Sequence, residues 1–323
     1  MVHSCLLKTA ALVSSTLLAS AEATYVSQGG VVTISHLSGS FAKMSTHGAT
    51  VFSFSPAYDP YGDVLVMSND SVYDGIKPLS GGITIEFPNH DATKDYPVPE
   101  LGFARVSKWT LEDVDLTNDK NSYSSAMFHL DSTDDTLQMW PFKFRLFYEV
   151  RLYSTWLETE LTVMNTGSKG MVFEALLNNH FSVPDVRNNG VEVSGLQGVE
   201  YFDRVTGKTQ NEARESFGIM SRVDSIYKDV KNDVTATIRG DGFTETVVVE
   251  KSARLHTGYA PPVTPSTNCV VSNPWNQDTK SDFSDEEYIH LVAIGVGTVR
   301  DKIGIAPDDS YTLNQIIKAS RYP

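Results

Sequence analysis

The chain reads as an all-β protein, a mostly antiparallel sandwich with few short helices. Three observations predict this. Apolar and polar residues alternate at period two through most of the sequence. Clusters of Gly, Pro, Asn and Asp interrupt that alternation every ~10 residues, the rhythm of sandwich and barrel strands. The 3.6-residue period of an amphipathic helix is nearly absent.

The elements follow in chain order. Residues 1–23 read as a secretory signal peptide: Lys8 gives a weak basic start, Ala10 to Ala19 is a short apolar run, and Ala21-Glu22-Ala23 is a small-x-small cleavage pattern. Secretion is the expected localisation. Residues 24–323 are expected to form one sandwich domain, because no composition break or internal repeat divides them. Short strand-like runs occur at 31–36, 50–54, 64–67, 83–87, 172–177, 191–193, 234–238, 247–250, 270–272 and 291–296. The clearest hairpin lies between them. Phe144, Leu146, Tyr148, Val150 and Leu152 share one face and Arg145, Glu149 and Arg151 the other. After a turn at Ser154-Thr155, Leu157, Thr159, Leu161 and Val163 alternate against Glu158, Glu160 and Thr162. Residues 211–217 and 282–288 could each form a turn or two of helix. The acidic clusters Asp131 to Asp135 and Asp282 to Glu287 read as solvated loops, since neither has the spacing of a calcium loop.

Composition narrows the function. The formal net charge is −14 over 323 residues, which disfavours a nucleic-acid partner, because phosphate backbones need Lys and Arg. No run after the leader is long and apolar enough to span a bilayer. Of the two cysteines, Cys5 leaves with the leader and Cys269 is then alone, so no disulfide framework is expected. Eight scattered histidines give no support for a metal site. G-x-S-x-G, H-E-x-x-H, P-loop and C-x-x-C signatures are missing from the sequence, and Gly295-Val296-Gly297 has no βαβ unit around it.

Four local patterns carry a family resemblance. The first is YDGIKPLSGGITIEFP followed by LGFAR, from Tyr73 to Arg105. The second is LLNNHFSVPDV, from Leu176 to Val186. The third is GLQGVEYFD at Gly195 to Asp203 with RVDSIY at Arg222 to Tyr227. The fourth is NCVVSNPW at Asn268 to Trp275 with YIHLVAIGVG at Tyr288 to Gly297. Together they resemble the hexose-6-phosphate 1-epimerase branch of the aldose 1-epimerase, or mutarotase, family. The resemblance covers nearly all of residues 24–323. It implies a galactose-mutarotase-like β-supersandwich with a sugar site in a cleft on one sheet face. It implies a hexose or hexose derivative as partner, a monomer, and no cofactor or metal. The family reaction interconverts α and β anomers by opening the ring, with a base on the anomeric hydroxyl and an acid on the ring oxygen.

Carried over position by position, the resemblance puts the family histidine at Asn178 and the family glutamate at Gly295. It puts substrate-binding positions at Ser80, Glu100, Arg105 and Asp224; of these, Arg105 and Asp224 keep the family residue. An amide can donate and accept hydrogen bonds but cannot relay a proton, so carbohydrate binding with weakened or lost turnover is expected. His180, two residues along the same strand from Asn178, is a possible substitute acid, and an active secreted epimerase using it is one alternative. A surface-interaction protein that reuses the sandwich is another. Glu86 and His90 lie near the cleft in sequence and could supply a base, although alternation turns Glu86 outward. Of Tyr73, Phe103, Tyr227 and Trp275, one or two are expected to face the ligand. With Glu100 beside Arg105 the local charge falls to zero, which favours an unphosphorylated sugar.

Overall fold

A computed structural model describes residues 22–258, 260–277, 283–284 and 286–323. The expected signal segment lies outside the described residues except for Glu22 and Ala23. Alternation of buried and wetted positions drives the architecture. In the strand Phe144–Leu152, residues 144, 146, 148, 150 and 152 are buried, as the period-two pattern requires. Its partner Trp156–Asn165 buries Leu157, Thr159, Leu161 and Val163, and the two strands pair antiparallel from Leu152↔Leu157 to Phe144↔Asn165.

The described strands form two antiparallel sheets. One has eleven strands, with Phe41–Ser45, Val51–Ser55, Ile83–Glu86, Met171–Ser182, Leu291–Ile305, Asn268–Asn273, Val223–Tyr227 and Glu200–Asp203 adjacent in that order. The other has nine, with Phe243–His256, Ser310–Tyr322, Trp156–Asn165, Phe144–Leu152 and Ser124–Asp131 adjacent. Their inner faces meet over one hydrophobic cluster that includes Ile83, Ile85, Leu177, Phe181, Val271, Ile294, Leu146, Leu161 and Leu313. This is the expected all-β sandwich.

Some local expectations change. Residues 64–67 form no strand; Leu65 and Met67 make isolated bridges to Phe181 and Gly81. Residues 211–217 hold no helix: Asn211 ends a strand and Ser216–Gly218 is another. A one-turn 3-10 helix, Glu287–His290, overlaps the second expected helical segment, whose residues 282 and 285 lie outside the described set. The acidic run Asp131 to Asp135 is not all loop, because Asp134–Met139 is helical. Thr133 caps its N-terminus in a box with Thr136, and Asp134 and Asp135 occupy the first turn, where carboxylates favour the helix dipole. Alternation reading misses this helix because it is only six residues long. Cys269 is buried with a free thiol.

Candidate active site

The strand Ile83–Glu86 sits in the middle of the eleven-stranded sheet. Ile83 and Ile85 point into the core, so Thr84 and Glu86 project from the opposite face. That face is covered. Thr84 and Glu86 line a cavity of about 350 Å³, within the ~300–1,000 Å³ common for small-molecule sites. Asn178 and His180 both come from the neighbouring strand Met171–Ser182, Asn178 opposite Thr84 on one side and His180 opposite Ala293 on the other. Val223, Asp224, Val270, Ser272, Leu291 and Ala293 complete the strand-borne wall.

Backbone close approaches bring the loops to this wall. Gly102 has φ +73°, and a Cβ there would stand 2.1 Å from the Phe87 carbonyl oxygen, so only glycine fits. The Phe103 and Ala104 amides donate to that same oxygen. The turn this fixes leads into Ala104–Val106, which carries Arg105, buried, into the cavity wall.

Glu86 and His90 are the centre of the polar wall. His90 Nδ1 and Glu86 Oε2 are 2.5 Å apart, and both side chains are almost wholly buried. Asn178 Nδ2 donates to Glu86 Oε1 at 3.1 Å. Arg204 Nη1 lies 2.9 Å from His90 Nε2. A guanidinium only donates, so Nε2 accepts, and the neutral imidazole carries its proton on Nδ1 toward Glu86. A bulge between Phe173 and Ala175 turns Glu174 to the loop, where its carboxylate accepts from the His90 and Arg300 amides. Burial pulls the His90 pKa down, but the charge and hydrogen bond of Glu86 outweigh it; the net direction is upward, with Arg204 opposing.

Arg204 follows the strand Glu200–Asp203, and its amide donates to the Asp224 carbonyl. Its Nη2 pairs with Asp91 at 2.8 Å and stands 4.0 Å from Glu100, and its Nε is 3.6 Å from Asp224 Oδ2. Burial raises the Asp224 carboxyl above its ordinary range, against the lowering pull of Arg204, His90 and Arg222.

Of the expected site residues, Asn178, His180, Glu100, Arg105 and Asp224 come together around the cavity. Ser80 does not line it; its amide and carbonyl bond to Ser71 and Ser68 beside the wall. Gly295 faces Asn178 across the strand pair, and a Cβ there would lie 3.2 Å from Asn178 Oδ1. Asn178 Oδ1 is buried with no hydrogen-bond partner among the described residues. His180 is fixed by its Nδ1, 3.1 Å from the Gly82 carbonyl.

Glu86 turns away from the core as alternation predicts, yet the face it turns to is the cleft. Sequence reasoning did not single out Arg204, Arg222, Thr84, Ser272 or Phe283. Ile-Thr-Ile-Glu did hold a signal for Thr84 and Glu86, once the cleft is put on the outer face. None of the four chosen aromatics lines the cavity: Phe103 and Tyr227 are core, Tyr73 packs edge-on against Phe52, and Trp275 lies against Tyr288. Among the described residues, Phe283 is the aromatic that does, beside His180 at 5.3 Å between ring centres. No group of three or more metal-ligating side chains occurs among the described residues.

Residues 30–318 match the family model for aldose 1-epimerase. A curated Escherichia coli (strain K12) protein named "Putative glucose-6-phosphate 1-epimerase" is 27% identical over 190 residues, 58% of this chain and 59% of that protein. Its Salmonella typhimurium namesake is 29% identical over 192 residues, again 58% and 59%. The chain thus matches about three-fifths of the length of these curated relatives. A Salmonella typhimurium crystal structure described as a "putative mutarotase" superposes with a TM-score of 0.74 at 22% identity, covering 93% of this chain and 94% of that one. A galactose 1-epimerase from Lactobacillus acidophilus NCFM gives 0.60 at 11% identity, covering 94% and 100%. These structures establish the galactose-mutarotase-like fold. With the family match running through both sheets, this chain belongs to the aldose 1-epimerase family.

Proposed function

We propose that the chain is a secreted hexose-binding protein of aldose 1-epimerase type, and that its cleft takes an unphosphorylated sugar. One observation carries the choice of sugar. Among the described lining residues, the carboxylates Glu86, Glu100 and Asp224 balance the guanidinium groups of Arg105, Arg204 and Arg222. A dianionic phosphate needs a surplus of donors in bidentate reach, and the carboxylates here would repel it. A neutral hexose uses both signs, because each hydroxyl donates to a carboxylate and accepts from a guanidinium.

Titration calorimetry of residues 24–323 against glucose, galactose, glucuronate and glucose 6-phosphate tests this. A neutral hexose should bind best. Asp224→Ala should weaken it by roughly tenfold or more, since a hydrogen bond to a charged group contributes ~1.5–3 kcal/mol. Tightest binding of glucose 6-phosphate would overturn the choice of sugar, and binding of none of the four would overturn the reading as a whole.

A further inference from the structure

Arg204 lies across the cleft with two nitrogens of one guanidinium held by two different groups. Nη1 donates to His90 Nε2 at 2.9 Å, and Nε stands 3.6 Å from Asp224 Oδ2. Both nitrogens are bonded to the same carbon, Cζ. The anomeric centre of a pyranose has the same connectivity, with ring oxygen and hydroxyl oxygen both on C1. An imidazole and a carboxylate are therefore spaced to meet two heteroatoms on a single carbon. Anomeric ring opening needs this arrangement, an acid on one heteroatom and a base on the other.

We propose that His90 and Asp224 are the acid–base pair of this cleft, acting on a hexose whose O5–C1–O1 unit takes the place of the Arg204 Nη1–Cζ–Nε edge. This rests on the hexose-binding reading and assigns the chemistry of the same site. It makes no use of Asn178 or Gly295 as proton carriers. Glu86 and Asn178 are positioning residues: Glu86 holds the Nδ1 side of His90 and Asn178 holds Glu86. Glu174 pins the His90 backbone amide at 3.0 Å.

When the sugar displaces the guanidinium, Nε2 is released and a neighbouring cation leaves, so His90 takes a proton from solvent, stabilised by Glu86. Nε2–H protonates O5 as the C1–O5 bond breaks and its electron pair goes to O5. The Asp224 carboxylate removes the O1–H proton, and that bond's electron pair becomes the second C1–O1 bond of the aldehyde. Rotation about C1–C2 exposes the other carbonyl face. The reverse transfers close the ring as the other anomer, with nothing oxidised and no proton consumed. Burial at the cleft wall strengthens Asp224 as a base.

Polarimetric mutarotation of α-glucose by residues 24–323 tests the proposal, with glucose binding measured in parallel for every variant. Wild type should exceed the buffer rate. His90→Gln and Asp224→Asn should each lower kcat by ~10²-fold or more, with a far smaller rise in KM, since the amide oxygen introduced at position 224 still accepts from a sugar hydroxyl though without the charge. Glu86→Gln should lower kcat through His90, again with KM retained. Arg204→Ala should lower KM, because the group occupying the anomeric position is gone. If buried His90→Gln fails to fold, Asp224→Asn and Arg204→Ala, at the cleft wall, still decide. A wild type that binds glucose but matches the buffer rate overturns the acid–base pair while leaving the binding reading standing. So does a raised KM for Arg204→Ala, or an unchanged kcat for Asp224→Asn. Failure to bind any hexose removes the binding reading and this proposal with it.

Discussion

At the scale of the residue, His90 and Asp224 face each other through Arg204, and the groups around them set their protonation. Glu86 comes from the strand Ile83–Glu86, Asp91 from the same loop as His90, Arg204 from the turn after Glu200–Asp203, and Arg222 precedes Val223–Tyr227. The His90 pKa is moved above its ordinary 6.5 and that of Asp224 above its ordinary 3.8. With Asp224 as base and His90 as acid, the catalysed rate should rise with pH as Asp224 loses its proton and fall as His90 loses its own. Both limbs should lie above those ordinary values, and Glu86→Gln should move the alkaline limb down. An alkaline limb that stays in place in Glu86→Gln would show that His90 is not the acid. Stability should follow the same sign. Both groups hold their protons more tightly in the folded chain, so what they contribute is complete below the unfolded values and is lost as pH rises through the folded ones.

At the scale of the element, the strand Met171–Ser182 serves both faces of its sheet. Asn178 and His180 reach the cleft, while Asn179 points inward with no exposure. Asn179 donates to the Ile294 carbonyl and exchanges two 2.9 Å amide hydrogen bonds with Gln315 of the other sheet. Gln315 in turn donates to Thr159. The two sheets are thus joined through their apolar core by a satisfied amide pair. Asn179→Leu should destabilise the fold by ~1–3 kcal/mol, the cost of leaving a buried polar partner unpaired. Asn179→Leu with Gln315→Leu should recover much of that. Thermal or urea unfolding of the two variants measures it, and equal losses in the single and double variants would contradict the coupling. The period-two strands were legible because alternation reports burial directly, as in Phe144–Leu152. This amide pair was not, because the inward Asn179 breaks that alternation and its partner lies 136 residues away. Arg204 escaped for a similar reason: its role depends on a loop more than a hundred residues earlier in the chain, at His90. Asn178, His180 and Asp224 were reachable because a strand fixes where alternate side chains point.

At the scale of the whole molecule, the inner faces of the sheets make the core and the outer face of the eleven-stranded sheet makes the site. This division explains why a chain of net charge −14 can hold a cleft whose arginines and carboxylates balance among the described lining residues. The surface sets the overall charge, whereas buried polar groups on the sheet's outer face must be paired with one another. It also explains how a member of the aldose 1-epimerase family can carry an amide at position 178 and a glycine at 295 and still present an imidazole and a carboxylate to one carbon. Neighbouring positions on the same face are within reach of the same ligand. The most direct test is a crystal structure of residues 24–323 with glucose bound. The sugar should lie in this cleft, with O5 within hydrogen-bond distance of His90 Nε2, O1 at Asp224, and the Arg204 guanidinium moved toward Asp91 and Glu100. A sugar bound elsewhere, or one in the cleft with its anomeric carbon turned away and Arg204 still on His90, would contradict the acid–base pair.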